Sequence, residues 1–140
     1  MVSSLFRPFF DQHHTVVPQV CYGSSTMETT INRHQRNDIR IIGTFTEVWC
    51  AGHGHQERAV IEQPGDLAPL RLCPTCATFM AYAVARRLNC PLEAEKPSCK
   101  HCRIHCYAPQ QRAQVKQIMA WSGRRLIMRG RLDYLWHYFF

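Results

Sequence analysis

The chain has 140 residues, 46% of them apolar, and a formal net charge of +7. That length bounds it to one domain, or one domain with a tail, and the composition is that of a soluble globular protein. No apolar run approaches the ~18 residues of a membrane span, and the opening MVSSLFRPFFDQHH, broken by Arg7 and Pro8, does not read as a secretory signal; the expected location is cytoplasmic, with no membrane partner.

Residues 1–26 mix Ser, Pro, His and aromatics without a helical or strand period, which predicts a disordered tail or a wrongly assigned gene start, Met27 being the alternative first residue. Residues 27–140 are then a single cysteine-rich helical domain. SSTMETT introduces the first helix, with Thr26, Thr29 or Thr30 as its cap. From Ile31 to Cys50 the residues Ile31, Ile39, Ile42, Phe45, Val48 and Trp49 fall loosely on one face, although Gly43 weakens the pattern. CAGHGH ends this helix, and residues 54–70, with Pro64-Gly65 and Pro69, form a loop or short hairpin.

CPTCATFMAYAVARRLNC carries the clearest helical signal. Pro74 suits a first turn, Ala77, Met80, Ala81 and Val84 make an i, i+3, i+4, i+7 stripe, and Asn89 can end it. PLEAEKPS is a loop and CKHCRIHC a knuckle. PQQRAQVKQIMAWSG predicts a third helix, from Pro109 to a stop at Gly123, with Val115, Ile118 and Met119 inward and Arg112 and Lys116 outward. AWSGRRL reads as a helix cap at Gly123 followed by a basic linker, in preference to a phosphate-binding turn. RLDYLWHYFF closes the chain as a short amphipathic helix. The fold class is therefore mainly α, a small helical domain around a cysteine-rich metal site.

Eight cysteines without an export signal point to metal or redox chemistry rather than to a disulfide framework. A thiolate metal site needs about four ligands, and a C-x2-C turn aims two sulfurs the same way. There are two such turns, Cys73/Cys76 and Cys99/Cys102, together with Cys50, Cys90 and Cys106. The closest grouping is Cys90, Cys99, Cys102 and Cys106, four thiols within 17 residues. Cys50, Cys73 and Cys76 then lack a fourth partner, which His53 could supply. Another pairing joins the two C-x2-C turns at one centre, as zinc ribbons do. Cys21 lies in the tail, outside the site. His101 and His105 read as exposed or outer hydrogen-bonding groups beside ligand cysteines. Zinc suits four cysteines or three with a histidine; an iron–sulfur cluster takes four cysteines, and Cys73-Pro74 and Cys90-Pro91 have a form found around clusters. A dithiol redox site at CPTC is the third reading, since a helix start lowers a thiol pKa, but no βαβ pattern surrounds it.

The charge is one-sided along the chain. Residues 1–98 carry nine basic and nine acidic residues, so the whole excess lies in 99–140. Arg112, Lys116, Arg124, Arg125, Arg129 and Arg131 are the candidate contacts to nucleic acid or to an acidic protein partner; the plain alternative is a solvated face. No carboxylate pair or Ser-His-Asp arrangement is legible, so a hydrolase has no support and an enzyme is not the favoured reading.

The stretches LCPTCATFMAYAVARRLNCP and EKPSCKHCRIHCYAPQQRAQVKQIMAWSGRR resemble the signature of the nitrous oxide-stimulated promoter family of small bacterial proteins. The resemblance covers about residues 27–137 and takes in METTI to VWCAGH as the family's first helix with its Cys and following His. Two features depart from the pattern: Arg124 stands where the family usually has Pro after the Ser-Gly pair, and GHQERAVIEQPGDLAPLR is variable in such proteins. The resemblance implies an association with bacterial responses to nitric oxide and related nitrogen oxides. Nitric oxide attacks iron–sulfur clusters and metal thiolates, which tips the expected occupant from zinc to an iron–sulfur cluster. The expected function is a metal-binding accessory or regulatory protein of nitrosative stress. The alternatives are a zinc-stabilised nucleic-acid binder using the basic segment, and a dithiol redox protein.

Overall fold

A computed structural model describes residues 30–92, 102 and 106–135. The expected tail at 1–26, the choice of Met27 as start, Cys99, His101, His105 and the last five residues lie outside the described residues. Three helices dominate: α1 (Arg33–Gly52), α2 (Pro74–Leu88) and α3 (Pro109–Met128). Between α1 and α2 runs a hairpin of β1 (Ala59–Ile61) and β2 (Leu70–Leu72), antiparallel, pairing Ala59 with Leu72, Val60 with Arg71 and Ile61 with Leu70. A 3₁₀ turn, Leu132–Tyr134, follows α3. The class is mainly α, as the periodicity predicts.

α1 begins later than the threonines suggest. Asn32 is its cap: its Oδ1 accepts from the Gln35 backbone N–H at 2.8 Å while Gln35 Oε1 accepts from the Asn32 N–H at 3.1 Å, a reciprocal capping box. Gly43 sits inside the helix because the hairpin crosses it closely. A Cβ there would lie 2.9 Å from Gln63 Oε1 and 3.0 Å from a Leu70 methyl.

α1 is the central element, packed against both α2 and α3. One cluster joins Ile39, Cys50, Leu70, Leu72, Cys73, Cys76 and Met80 beneath the hairpin. The other joins Ile41, Phe45, Phe79, Ala83, Ile118, Leu126 and Tyr134 between all three helices. α2 therefore buries two faces, which explains why Phe79 and Ala83 are inside while Ala81, expected in the stripe, is exposed.

α3 does not stop at Gly123. Ser122 and Gly123 are both buried inside it, and Ser122 Oγ donates to the Phe45 carbonyl of α1 at 2.8 Å. A small pair there lets the two helices approach closely, so the Gly is a packing residue and neither a cap nor a phosphate-binding turn. Among the described residues no helix is long and apolar enough to cross a membrane.

Candidate metal centre

α1 and α2 run antiparallel, so the end of the first meets the start of the second. Cys50 lies in the last turn of α1, and Cys73 is the N-cap of α2, with Pro74 next to it in the first helical turn. The C-x2-C spacing then brings Cys76 back beside Cys73, whose Sγ accepts from the Cys76 N–H at 3.5 Å. The Cys73 N–H in turn donates to Cys50 Sγ at 3.3 Å. α1 ends in a turn at His53 and at Gly54, whose φ of +66° reverses the chain at a position that favours glycine. That reversal brings His55 over the thiols, its Nδ1 3.4 Å from both Cys73 Sγ and Cys76 Sγ.

The ligand atoms of Cys50, His55, Cys73 and Cys76 all lie within 4.8 Å of one another, and the three thiols are buried. Three sulfurs and one imidazole nitrogen are a donor set that zinc and related ions take in tetrahedral sites. The thiols are also electrostatically uneven. Burial pushes the Cys73 thiol up, but hydrogen bonds from the Cys76 backbone and from the Cys76 and Cys50 side chains outweigh it and leave it below the ordinary thiol value. Burial, joined by the neighbouring Cys73 and Cys50, drives the Cys76 thiol well above that value. Such a set holds a proton that a metal ion would displace.

Sequence reasoning selects Cys50, Cys73 and Cys76 but favours His53 as their partner. The structure places His55 there instead. His53 is exposed at the helix end, where its Nδ1 donates to the Trp49 carbonyl at 3.0 Å. Its ring stacks 3.9 Å from Trp49 and 4.4 Å from Trp121, and the Arg125 guanidinium covers Trp121 at 4.7 Å. The signal that could have separated the two histidines is Gly54, which turns the chain between them.

Of the other cysteines, the described ones, Cys90, Cys102 and Cys106, do not join this tetrad. Cys90 is buried beyond the far end of α2, and 17 residues at 1.5 Å rise put it roughly 25 Å from Cys73. Cys102 and Cys106 are half-buried and outside the tetrad, and Cys99, the other half of the second C-x2-C turn, lies outside the described residues. The basic residues of α3 are spread rather than aligned. Arg125 is held on Trp121 and Arg131 is paired with Asp133 at 2.9 Å; Arg112 and Lys116 share one side of α3, while Arg124 lies on another and Arg129 beyond its end.

Fold and site together define a small, mainly helical protein with a buried tetrad of three cysteines and one histidine at one end of its central helix pair. Comparison with known proteins places the chain in a family. It belongs to the nitrous oxide-stimulated promoter family, whose sequence profile matches residues 32–139. It is 36% identical over 81 residues to the protein described as "Uncharacterized protein YgbA" of Escherichia coli (strain K12), covering 53% of this chain and 68% of that protein. No solved structure matches the chain.

Proposed function

We propose that this is a metal-binding accessory or regulatory protein of the bacterial response to nitric oxide, built on a single ion held by Cys50, His55, Cys73 and Cys76. The observation that carries the reading is the tetrad itself, four soft or borderline donors converging in a buried corner made by two helix ends and a turn. Two thiolates on one zinc ion stand no further apart than twice the metal–sulfur bond, about 4.6 Å. The tetrad's ligand atoms lie within 4.8 Å of one another, close to that span. A cluster sets several irons and sulfides between its cysteines and needs a wider opening. The donor spacing thus supports a single ion here over the iron–sulfur cluster that the resemblance implies.

Cys90, Cys99, Cys102 and Cys106, four thiols within 17 residues of sequence, are then a second set, and a cluster belongs there in this reading. Thiolate–metal bonds are targets of nitric oxide, so either centre would connect the protein to the family's context. The response is cytoplasmic in this reading, and no catalytic step is assigned.

Metal analysis with an absorption spectrum, on protein purified without oxygen, tests it. One zinc per chain that is lost in Cys76→Ser supports the single-ion centre. Iron and sulfide lost in Cys76→Ser would replace that centre with a cluster. Protein carrying no metal from any preparation would sink the reading altogether.

A further inference from the structure

The basic excess of the sequence lies after residue 98, yet the structure shows its most ordered array of cations elsewhere. α1 carries Arg33, Arg36 and Arg40, at i, i+3 and i+7, all exposed, with Arg36 at the edge nearest the hairpin. His34 and Asn37, also exposed, flank the stripe. The five side chains line one concavity of about 460 Å³, and no carboxylate is among its described lining residues. Among the described residues Arg36 pairs with Asp66 at 3.0 Å, Arg40 donates to Asn37 at 2.9 Å and feels the charge of Asp133, and Asp38, the one acid within Arg33–Arg40, pairs with Arg87.

This arrangement opposes the helix's own electrostatics. The N-terminal turns of a helix favour acids and disfavour cations, because the dipole is positive there. α1 has no acid in its first turn and places Arg33, His34 and Arg36 in it and just beyond. All three are exposed, and only Arg36, paired with Asp66 of the hairpin segment, has a structural use among the described residues. For Arg33 and His34 a local rule is broken without structural return, which is what a functional surface does. The sequence count concealed it, because acids elsewhere in residues 1–98 balance the sum.

We propose that the outer face of α1 is a nucleic-acid docking surface that tracks the phosphate backbone through Arg33, Arg36 and Arg40. Seven residues of helix set Arg33 and Arg40 about 10 Å apart, a span that suits successive phosphates rather than one small anion. The same face offers Asn37, Thr44 and Glu47 and no large apolar side chain, so it lacks the anchor by which an amphipathic helix enters a lipid surface. Arginine supplies forked donors to phosphate oxygens, and the helix N-terminus adds backbone positive charge. This inference stands apart from the metal reading, because the stripe occupies the other half of α1 from Cys50.

Anisotropy of a labelled mixed-sequence duplex of 20 base pairs, titrated with the full chain over a series of salt concentrations, tests it. Binding is expected to weaken linearly on a log–log salt plot. The double variant Arg33→Gln, Arg40→Gln leaves the Arg36–Asp66 pair intact and should lower that slope by about 1.8, two phosphate contacts at ~0.9 each. Its melting temperature should be unchanged or slightly raised, which separates lost contacts from lost fold. The triple variant Arg112→Gln, Lys116→Gln, Arg124→Gln should change the slope less. An unaltered slope in the double variant, an absence of duplex binding at low salt, or equal binding to anionic vesicles in both proteins would each overturn the proposal.

Discussion

Gly52 and Trp121 pack so closely that the indole fills the space a Cβ on residue 52 would need. The contact ties the end of α1 to the middle of α3, at the point where the chain leaves α1 toward His55. Trp121 then stacks on His53 and lies edge-on to Trp49, at 5.6 Å between ring centres. One side of the metal corner is thus held by aromatic packing rather than by a ligand. Gly52→Ala should force the indole away. Overpacking of this kind costs about 1–3 kcal/mol, read as a fall in melting temperature, and metal affinity should fall with it because the His55 turn moves. A variant with wild-type stability and a wild-type tryptophan spectrum would show that the contact is not constraining.

The two histidines of the turn separate by role. His55→Ala removes a ligand and should weaken metal binding by more than the roughly 100-fold that bounds most outer-sphere substitutions. His53→Phe keeps a ring between Trp49 and Trp121 and should leave affinity nearly unchanged, whereas His53→Gly should weaken it modestly by loosening the turn. Competition with a chromophoric chelator reads all three. Equal losses in His55→Ala and His53→Phe would place His53 among the ligands.

How much of this was legible in the sequence depends on what kind of information each feature needs. α2 and α3 are readable because Ala77, Met80 and Val84, and Val115, Ile118 and Met119, recur at helical spacing, α1 more loosely, and Cys73 and Cys76 because a C-x2-C turn is a local motif. The caps misled. Threonines near residue 30 satisfy a composition rule, but the reciprocal pair Asn32 and Gln35 is what the structure uses. Gly123 reads as a stop because what holds α3 there is tertiary: the neighbouring Ser122 hydroxyl donates to the Phe45 carbonyl, 77 residues away in α1. His55 was hidden for the same reason: the choice between two histidines rests on the path of the chain after Gly54. The arginine stripe of α1 was hidden by arithmetic, since a sum over 98 residues erases a face of eight.

Metal affinity should rise with pH. In the metal-free protein the Cys76 thiol is held above its ordinary value by burial and by Cys73 and Cys50, so it is protonated at neutral pH. Binding must expel that proton, and each proton expelled makes affinity tenfold stronger per pH unit. Cys73, held below its ordinary value, adds no further dependence above that lowered value. The sign is therefore positive throughout the neutral range, with at least one proton released per ion. Calorimetric titration in buffers of different ionisation enthalpy counts those protons; a count of zero at pH 7 would contradict the assignment of Cys76 as a ligand.

Arg87 and Asp38 give an unequal pair of substitutions. The Arg87 side chain is 6% exposed while that of Asp38 is 40% exposed, and Nε donates to Oδ2 at 2.6 Å. Both Nη groups of Arg87 are buried without a hydrogen-bond partner, so the guanidinium leans on its one carboxylate. Asp38→Ala leaves a buried positive charge uncompensated and should destabilise the fold by about 3 kcal/mol, at the lower end of the range for breaking a buried pair because Asp38 is partly solvated. Arg87→Met removes the buried charge, keeps much of the side-chain volume against Ala83 and the helix interface, and leaves a carboxylate that water can reach. Its cost should be about 1 kcal/mol or less. Urea unfolding of the two variants at one pH measures the order directly. If Arg87→Met proved the more damaging, the guanidinium would have to make a stabilising contact beyond Asp38, and the burial of its unpartnered nitrogens would need another cause.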